Sequence, residues 1–250
     1  MPADLERIYG RLGFADQVLY SNFVTSLDGV VTLGNKPSAG SVISGRNHAD
    51  RFLMGLLRAC ADAVLLGAGT LRATPGHHWT PEHIYPDMAT SYAGLRKKLG
   101  RKPDPRLVLF TVTGEIERSH PAVVAGATIV TSEAGAQALE GRLPGSCDVI
   151  EVGNRGAVDV TRAVSELRSR GYNVLLTEGG PHLAGELIRQ GLLDEAFITL
   201  SPVIAGRDVE ARLGMVAGAE LLPSQQLWSR LLSARRHGDF LFLRYGLTSR

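Results

Sequence analysis

Short apolar runs bounded by turn residues recur along the chain and predict buried strands. They cover residues 17–24, 63–66, 106–110, 127–130, 148–152, 173–177 and 194–201. Apolar residues at helical spacing predict helices between these runs, and the helices cover residues 46–61, 87–99, 133–143, 159–170 and 181–190. Strands that alternate with helices are typical of an α/β fold, with a mostly parallel central sheet flanked by helices.

The last third of the chain has a different pattern. An alternating apolar stretch at 240–245 follows a polar turn, so we expect the sheet to end in antiparallel C-terminal strands. Residues 205–230 are rich in glycine and predict no element, while residues 70–102 form the longest irregular insertion. Because the chain has no repeat and no linker, we predict a single domain over 1–250 with an N-terminal extension at 1–16.

Composition and charge exclude several classes of partner. Of 250 residues, 44% are hydrophobic, which is enough to build a packed core. The 27 basic and 25 acidic residues leave a net charge of only +2, so we expect no nucleic acid partner. No apolar run approaches the roughly 18–20 residues that span a bilayer, and Asp4 and Glu6 stand where a signal peptide would be basic and then apolar. We therefore expect a cytoplasmic protein with no membrane partner.

Metal sites and several familiar catalytic motifs find little support. Cys60 and Cys147 lack Cys-x-x-Cys spacing, so we expect both to be reduced and buried, with a disulfide or metal role as the less favoured alternative. His77, His78 and His83 cluster without the helical spacing of a zinc protease, and we predict a surface loop there and no metal. The sequence also lacks the motifs of serine hydrolases, P-loop proteins and zinc deaminases.

The segment 175–184, with the sequence LLTEGGPHLA, is the strongest local signal. An apolar strand leads into Glu178, two glycines follow, and Pro181 stands at the first position of an amphipathic helix. Glycines allow close approach of a ligand, and the free amides of a helix start suit a phosphate or pyrophosphate. From spacing alone, an ordinary turn between a strand and a helix explains the pattern equally well.

Two other turns follow predicted strands. The turn at 67–70 begins like a dinucleotide-binding fingerprint, but Arg72 stands where the third glycine would be, so it is either a phosphate-binding nest or a structural turn. In the turn at 25–29, Asp28 orients a substrate or, as is more usual for Asp before Gly, caps a turn. Since carboxyl ends of parallel strands share one edge of the sheet, we expect these turns and segment 175–184 to meet where ligands of open α/β folds bind. Arg58 lies among apolar residues, which fits either a bound anion or a structural salt bridge.

Five segments together resemble the reductase domain of riboflavin biosynthesis, the RibD C-terminal type. They are SLDGV at 26–30, LLRACADAVLLGAGT at 56–70, LLTEGGPHLAGELI at 175–188, GLLDEAFITLSPVIAG at 191–206 and DFLFLRY at 239–245. The resemblance covers nearly the whole chain. It implies a dihydrofolate-reductase-like fold, a homodimer and NADPH-dependent reduction of a ribosylaminouracil phosphate, a small-molecule substrate, to its ribityl form.

The resemblance also implies roles for individual residues. It implies cofactor contacts at Val24, Thr25, Gly67, Thr70, Thr74, Thr111, Val152, Gly179, Gly180, Pro181, His182, Leu183 and Ala184. It implies substrate contacts at Arg58 and Glu178, with Arg58 facing a substrate phosphate. We assign catalytic roles to Glu178, which binds polar substrate groups, and to Asp28, which orders the pocket or relays a proton.

The leading hypothesis is therefore an NADPH-dependent reductase that transfers hydride to an electrophilic carbon of its substrate. One alternative keeps the reaction type and changes the substrate to a pterin, a dihydrofolate-like compound or another small molecule. The other alternative is a homologue that binds NADPH without catalysing a reaction.

Overall fold

The strands follow the predicted apolar runs closely. The computed structural model describes residues 12–34, 39–207 and 212–247, which form nine strands. They are β1 (Val18–Thr25), β2 (Ala63–Gly67), β3 (Arg106–Thr111), β4 (Ala127–Thr131), β5 (Asp148–Glu151), β6 (Val174–Thr177), β7 (Glu195–Leu200), β8 (Arg230–His237) and β9 (Phe240–Gly246). Residues 1–11 of the predicted N-terminal extension lie outside the described residues.

Helices occupy most of the connections between strands. Within the described ranges they are α1 (Ala39–Ile43), α2 (His48–Cys60), α3 (Ala68–Arg72), α4 (Pro81–Ile84), α5 (Ala89–Lys98), α6 (Pro121–Ala125), α7 (Glu133–Leu139), α8 (Val160–Ser169) and α9 (Pro181–Arg189), with a 3₁₀ turn at Pro86–Met88. None of the helices in this part of the chain has both the length and the apolar character needed to cross a membrane.

All nine strands belong to one sheet, in the order β5-β4-β3-β2-β6-β1-β7-β9-β8. Strands β1 to β7 run parallel to their neighbours within this set, and β9 and β8 add antiparallel pairs at one side. The predicted mixed sheet with antiparallel C-terminal strands is confirmed. The parallel part is covered on both faces, because alternate residues such as Leu66 and Leu65 belong to two separate apolar clusters. Burial on both faces explains why the strands appear in the sequence as unbroken apolar runs.

Three predictions about elements were wrong in detail. The helix expected over 133–143 ends at Leu139, because Glu140 leaves the helical conformation and Gly141 has a φ of 65°. Strand β8 lies outside any predicted run, since most of its side chains are exposed and it lacks an apolar pattern. Within the segment 70–102, α5 confirms the helix expected over 87–99, and the short helix α4 was not predicted.

Candidate active site

The carboxyl ends of the parallel strands lie along one edge of the sheet, as the topology requires. The residues expected to contact the cofactor follow this edge. They are Val24 and Thr25 at the end of β1, Gly67 and Thr70 after β2, Thr111 at the end of β3, Val152 after β5 and residues 179–184 after β6. Because β2 and β6 are hydrogen-bonded neighbours, the two glycine-rich turns are adjacent in space. The predicted meeting of the two turns at this edge is confirmed.

Helix α9 begins at this edge with open amide groups. Gly180 is its N-cap residue and makes no side-chain cap, and Pro181 has no N–H to satisfy. The first amide at this end of the helix to make a backbone hydrogen bond is that of Ala184, which donates to Gly180 O. The amides of His182 and Leu183 find no acceptor among the described residues. The helix start therefore presents two N–H groups and the positive end of its dipole to a ligand.

Glycine stands at positions 179 and 180 of this turn in different surroundings. A Cβ at Gly179 would lie 2.7 Å from Leu183 Cδ2 and 3.2 Å from Thr177 Oγ1, so a side chain there would require Leu183 to move. A Cβ at Gly180 would meet only Thr70 Oγ1, at an ordinary 3.4 Å, and its φ of −64° suits any residue. The fold does not demand glycine at position 180, and the bare backbone there leaves room for a ligand to approach closely.

The neighbouring turn after β2 is equally open. Gly67 is the N-cap residue of α3, no side chain caps this helix, and a Cβ at Gly67 would meet open space. The Thr70 hydroxyl faces Gly180 across the gap between the turns. The Thr74 hydroxyl, by contrast, already donates to Thr70 O at 2.7 Å. Thr111 and Val152 are buried, so a ligand at this edge meets their backbone or the rim of their side chains.

An ion pair between Glu178 and Arg58 forms the polar centre of the site. Glu178 follows β6, and Arg58 reaches it from α2, with 2.6 Å between Nη2 and Oε2. Nε of Arg58 donates to both carboxylate oxygens at 3.1 and 3.2 Å. The side chains are 1% and 7% exposed, so the pair is buried and Glu178 is held as a charged hydrogen-bond acceptor.

The other N–H groups of Arg58 bind the loop ahead of α4. Nη1 donates to His78 O and Thr80 O, and Nη2 lies 3.2 Å from His77 Nε2. A guanidinium carries five N–H donors. The contacts with this loop and the contacts with Glu178 together engage all five of them. Arg58 therefore has no donor left for a substrate phosphate, and the expected phosphate contact is replaced by the salt bridge.

His77 is a member of this network that sequence analysis placed in a surface loop. Because Arg58 can only donate, His77 Nε2 must accept and the imidazole is neutral. Burial, followed by the charge of Arg58, lowers the pKa of His77 far below its ordinary value. His77 also contacts His83, yet no group of three or more potential ligands suits a metal ion within the described ranges.

The segment expected to be irregular is a fixed wall of the site. Besides the loop at 77–80, Arg96 of α5 returns to α2 and is 2% exposed. Its Nη1 donates to the carbonyl oxygens of Arg58, Ala59 and Ala61 at 2.8–3.2 Å, and its Nε donates to Lys102 O. Residues 77–102 thus hold α2 through both a side chain and the backbone.

Asp28 binds backbone rather than facing the centre of the site. Its Oδ1 accepts from Ala205 N and Ser26 Oγ, and Oδ2 accepts from Gly206 N at 2.7 Å. The bond from Ala205, followed by that from Ser26, lowers the pKa of Asp28 to about 2. A carboxyl group this acidic carries no proton to donate near neutral pH. The geometry therefore contradicts a proton relay through Asp28, and its ordering role stays a prediction.

Comparisons with known proteins show the family of the chain. The model of the RibD C-terminal domain family matches residues 17–223. The chain belongs to this family. Two relatives are named 2,5-diamino-6-ribosylamino-4(3H)-pyrimidinone 5′-phosphate reductase. The one from Aquifex aeolicus is 26% identical, with 72% of this chain and 75% of the relative covered. The one from Archaeoglobus fulgidus is 27% identical, with 76% and 83% covered.

Solved structures of other proteins show the same fold. A pyrimidine reductase-like protein from Corynebacterium diphtheriae has a TM-score of 0.73 and 19% identity, and the match covers 98% of both chains. RibD from Acinetobacter baumannii has a TM-score of 0.66 and 18% identity, with 94% of this chain and 59% of RibD covered. The resemblance expected from the sequence is confirmed.

Proposed function

We propose that the protein is an NADPH-dependent reductase of a ribosylaminopyrimidinone phosphate, the reaction type for which its relatives are named. The observation that carries the proposal is the bare backbone of Gly180, which the fold does not require, beside the buried carboxylate of Glu178. One feature suits a bulky anionic ligand and the other suits a partner rich in N–H groups. Such a pairing fits a dinucleotide and a nitrogen heterocycle bound side by side.

The residues at the sheet edge fit a nicotinamide dinucleotide. The amides of His182 and Leu183 suit the pyrophosphate of the dinucleotide. The open space over Gly67 leaves room for the rest of the dinucleotide to pass. When bound, the reduced dinucleotide supplies the hydride. This chain contributes binding, orientation and exclusion of water around the reacting atoms.

The preference for NADPH is supported by a groove next to the site. The groove lies beyond the carboxyl end of β3 and has a volume of about 730 Å³. Its charged lining residues are three arginines and two glutamates, namely Arg72, Arg118, Arg142, Glu115 and Glu117. Arginine recognises phosphate through paired N–H groups, and the 2′-phosphate distinguishes NADPH from NADH. We infer that this groove holds the 2′-phosphate end of the cofactor.

Glu178 is the residue we assign to the substrate. A diaminopyrimidinone ring presents N–H groups, and an ionised carboxylate accepts hydrogen bonds through both oxygens. Arg58 acts as a positioning residue, because it fixes the orientation and charge of Glu178 from the buried side. A substrate analogue without matching N–H groups would leave the buried Glu178 carboxylate without hydrogen-bond donors, and such a site therefore rejects it.

The experiment that tests the proposal follows NADPH absorbance while the ribosylaminopyrimidinone phosphate is added. We expect turnover by the wild type and a loss of at least ~100-fold in kcat/KM for Glu178→Gln, since a charge-assisted hydrogen bond is lost and Arg58 is left unpaired. Glu186→Gln is the matched control, because Glu186 lies on the exposed side of α9 and pairs with Arg189. NADPH binding without turnover would instead identify a protein that only binds the cofactor.

We also infer that the protein works in the cytoplasm as a single-domain homodimer. Support for the dimer comes from one face of the C-terminal strands. Register places Leu231 opposite Tyr245, and Leu243 and Leu241 continue the same face. Leu231 is 51% exposed and Leu241 is 38% exposed, so an apolar sheet face is open in the monomer. A second copy of the chain would cover it.

A further inference from the structure

Asp50 is a buried carboxyl group that the proposed roles leave unused. It lies in the first turn of α2 and is 3% exposed. Its position, three residues after the N-cap Asn47, is the usual place for a residue that closes a capping box. Asn47 already caps this helix, with Oδ1 accepting from Ala49 N and Asp50 N, and the Asn47 N–H donates to Ser44 O. The helix start is satisfied without the Asp50 side chain.

The position of Asp50 points to the substrate side of α2. Residues four and eight positions apart lie on one row of a helix, so Asp50, Met54 and Arg58 share a row. Arg58 binds Glu178, while Met54 is only half-buried, which marks where the row opens toward solvent. Side chains of a helix lean toward its N-terminus, so the Arg58 guanidinium reaches back toward the turn of Asp50.

The sheet places the same group beside the end of β1. Thr199 of β7 is fully buried, lies close enough to the Asp50 carboxyl to influence its pKa and pairs in register with Val24 of β1. Strands β6, β1 and β7 are consecutive in the sheet, so Asp50 lies near the end of the strand next to the one that carries Glu178. Two carboxyl groups therefore flank the centre of the site.

The two carboxyl groups have opposite surroundings. Glu178 is paired with Arg58, whereas the charged groups that act on Asp50 are Glu178, which opposes ionisation, and the half-buried Arg51, which favours it. Burial is the largest effect and raises the pKa of Asp50 to about 6, although the nearby hydroxyl groups of Thr199 and Ser44 act in the other direction. Two carboxyl groups held apart in this way divide the roles of acceptor and acid between them.

We propose that Asp50 is the proton donor of the reductase reaction, an assignment that rests on the proposed function. The ribosylamino group of the substrate is a glycosylamine, in which C1′ of the sugar bonds both the ring oxygen and the amine nitrogen. Asp50 gives its proton to the ring oxygen as the bond from C1′ to that oxygen breaks, and the nitrogen lone pair forms a C1′=N double bond. Hydride from the reduced dinucleotide adds to C1′, and the electron pair of the double bond returns to nitrogen. The product is an open-chain ribitylamine, and the Asp50 carboxylate regains its proton from water.

The test compares Asp50→Asn and Asp50→Glu with the wild type over a pH series. We expect kcat/KM of the wild type to fall as the pH rises through about 6, because the acid must be protonated. Asp50→Asn should lower kcat by ~100-fold or more while KM changes little, and its pH profile should lose this step. Asp50→Glu should recover part of kcat with a displaced step. Asp104→Asn is the matched control, because the pKa of Asp104 is also raised by burial but it precedes β3 at the opposite edge of the sheet.

A second readout needs neither cofactor nor substrate. Difference infrared spectroscopy from about pH 4 to about pH 8 should show a carboxylic acid band that titrates in the wild type and is missing in Asp50→Asn. An active wild type together with an Asp50→Asn variant of similar kcat and unchanged pH profile would overturn the role of Asp50 alone. A wild type that binds NADPH but turns over no ribosylaminopyrimidinone phosphate would overturn the proposed function and this role with it.

Discussion

Gly180 carries no side chain although its surroundings accept one. We expect Gly180→Asp to weaken NADPH binding by more than ~10-fold, equal to about 1.4 kcal/mol, because a carboxylate would stand against the pyrophosphate. Gly180→Ala is the control, since a methyl group there makes an ordinary contact of 3.4 Å with Thr70 Oγ1 and should leave the melting temperature unchanged. Calorimetric titration of the three proteins measures the effect. Equal affinity of Gly180→Asp and the wild type would remove this turn from the cofactor site.

At the same scale, sequence analysis identified Glu178 and Arg58 but not how they are used. Salt bridge and bound anion were equal alternatives for Arg58, because the choice depends on carbonyl groups of residues 78 and 80 that only the folded chain brings near. Asp50 escaped notice for a related reason. Its spacing from Asn47 is typical of helix capping, and its burial becomes visible only in the structure.

At the scale of elements, the loop at 77–80 makes stability depend on pH through His77. The pKa of His77 is lower in the folded protein than in the unfolded chain, so the folded protein binds fewer protons below about pH 6.5. The free energy of unfolding therefore decreases as the pH falls below this value. Between neutral pH and about pH 5.5, we expect the free energy of unfolding of the wild type to fall by about 1.4 kcal/mol more than that of His77→Gln. Urea unfolding at both pH values measures the difference. His237→Gln on the exposed strand β8 is the control, and the same acid loss in His77→Gln as in the wild type would contradict the prediction.

The elements themselves were largely predictable because both faces of the parallel sheet are buried. Strands such as β2 and β6 are short apolar runs between turn residues, and the amphipathic helices α2 and α9 have clear periodicity. Strand β8 has neither signal, because it pairs only with β9 and most of its side chains face solvent. The helix over 87–99 was predicted, whereas the loop at 77–80 looked irregular because Arg58 holds it through backbone carbonyl groups, which leave no pattern in the sequence.

At the scale of the whole molecule, the open apolar face of β8 and β9 predicts self-association. We expect a dimer in light scattering coupled to size-exclusion chromatography, and Leu231→Glu should convert it to a monomer, because Leu231 lies opposite Tyr245 and a charge buried there would have no cross-strand partner. Val124→Glu is the control, since Val124 is also exposed, at 55%, but lies on α6 away from these strands. A wild-type monomer, or a dimer of Leu231→Glu, would contradict the assignment of this surface to the dimer.

The hydrogen bonds of Arg96 to the end of α2 have a consequence for chimaeras made by exchanging segments between related proteins. Arg96 and the loop at 77–80 meet α2 at carbonyl oxygens and at one guanidinium, so almost nothing in their contact depends on which other side chains α2 carries there. Residues 73–102 can therefore be transplanted as one cassette into a chimaera that keeps Arg58 and also keeps Gly55 and Phe52, because the Tyr92 ring packs against both. A cassette that loses Arg96 would leave three carbonyl groups of the recipient without their donor, however well its loops matched.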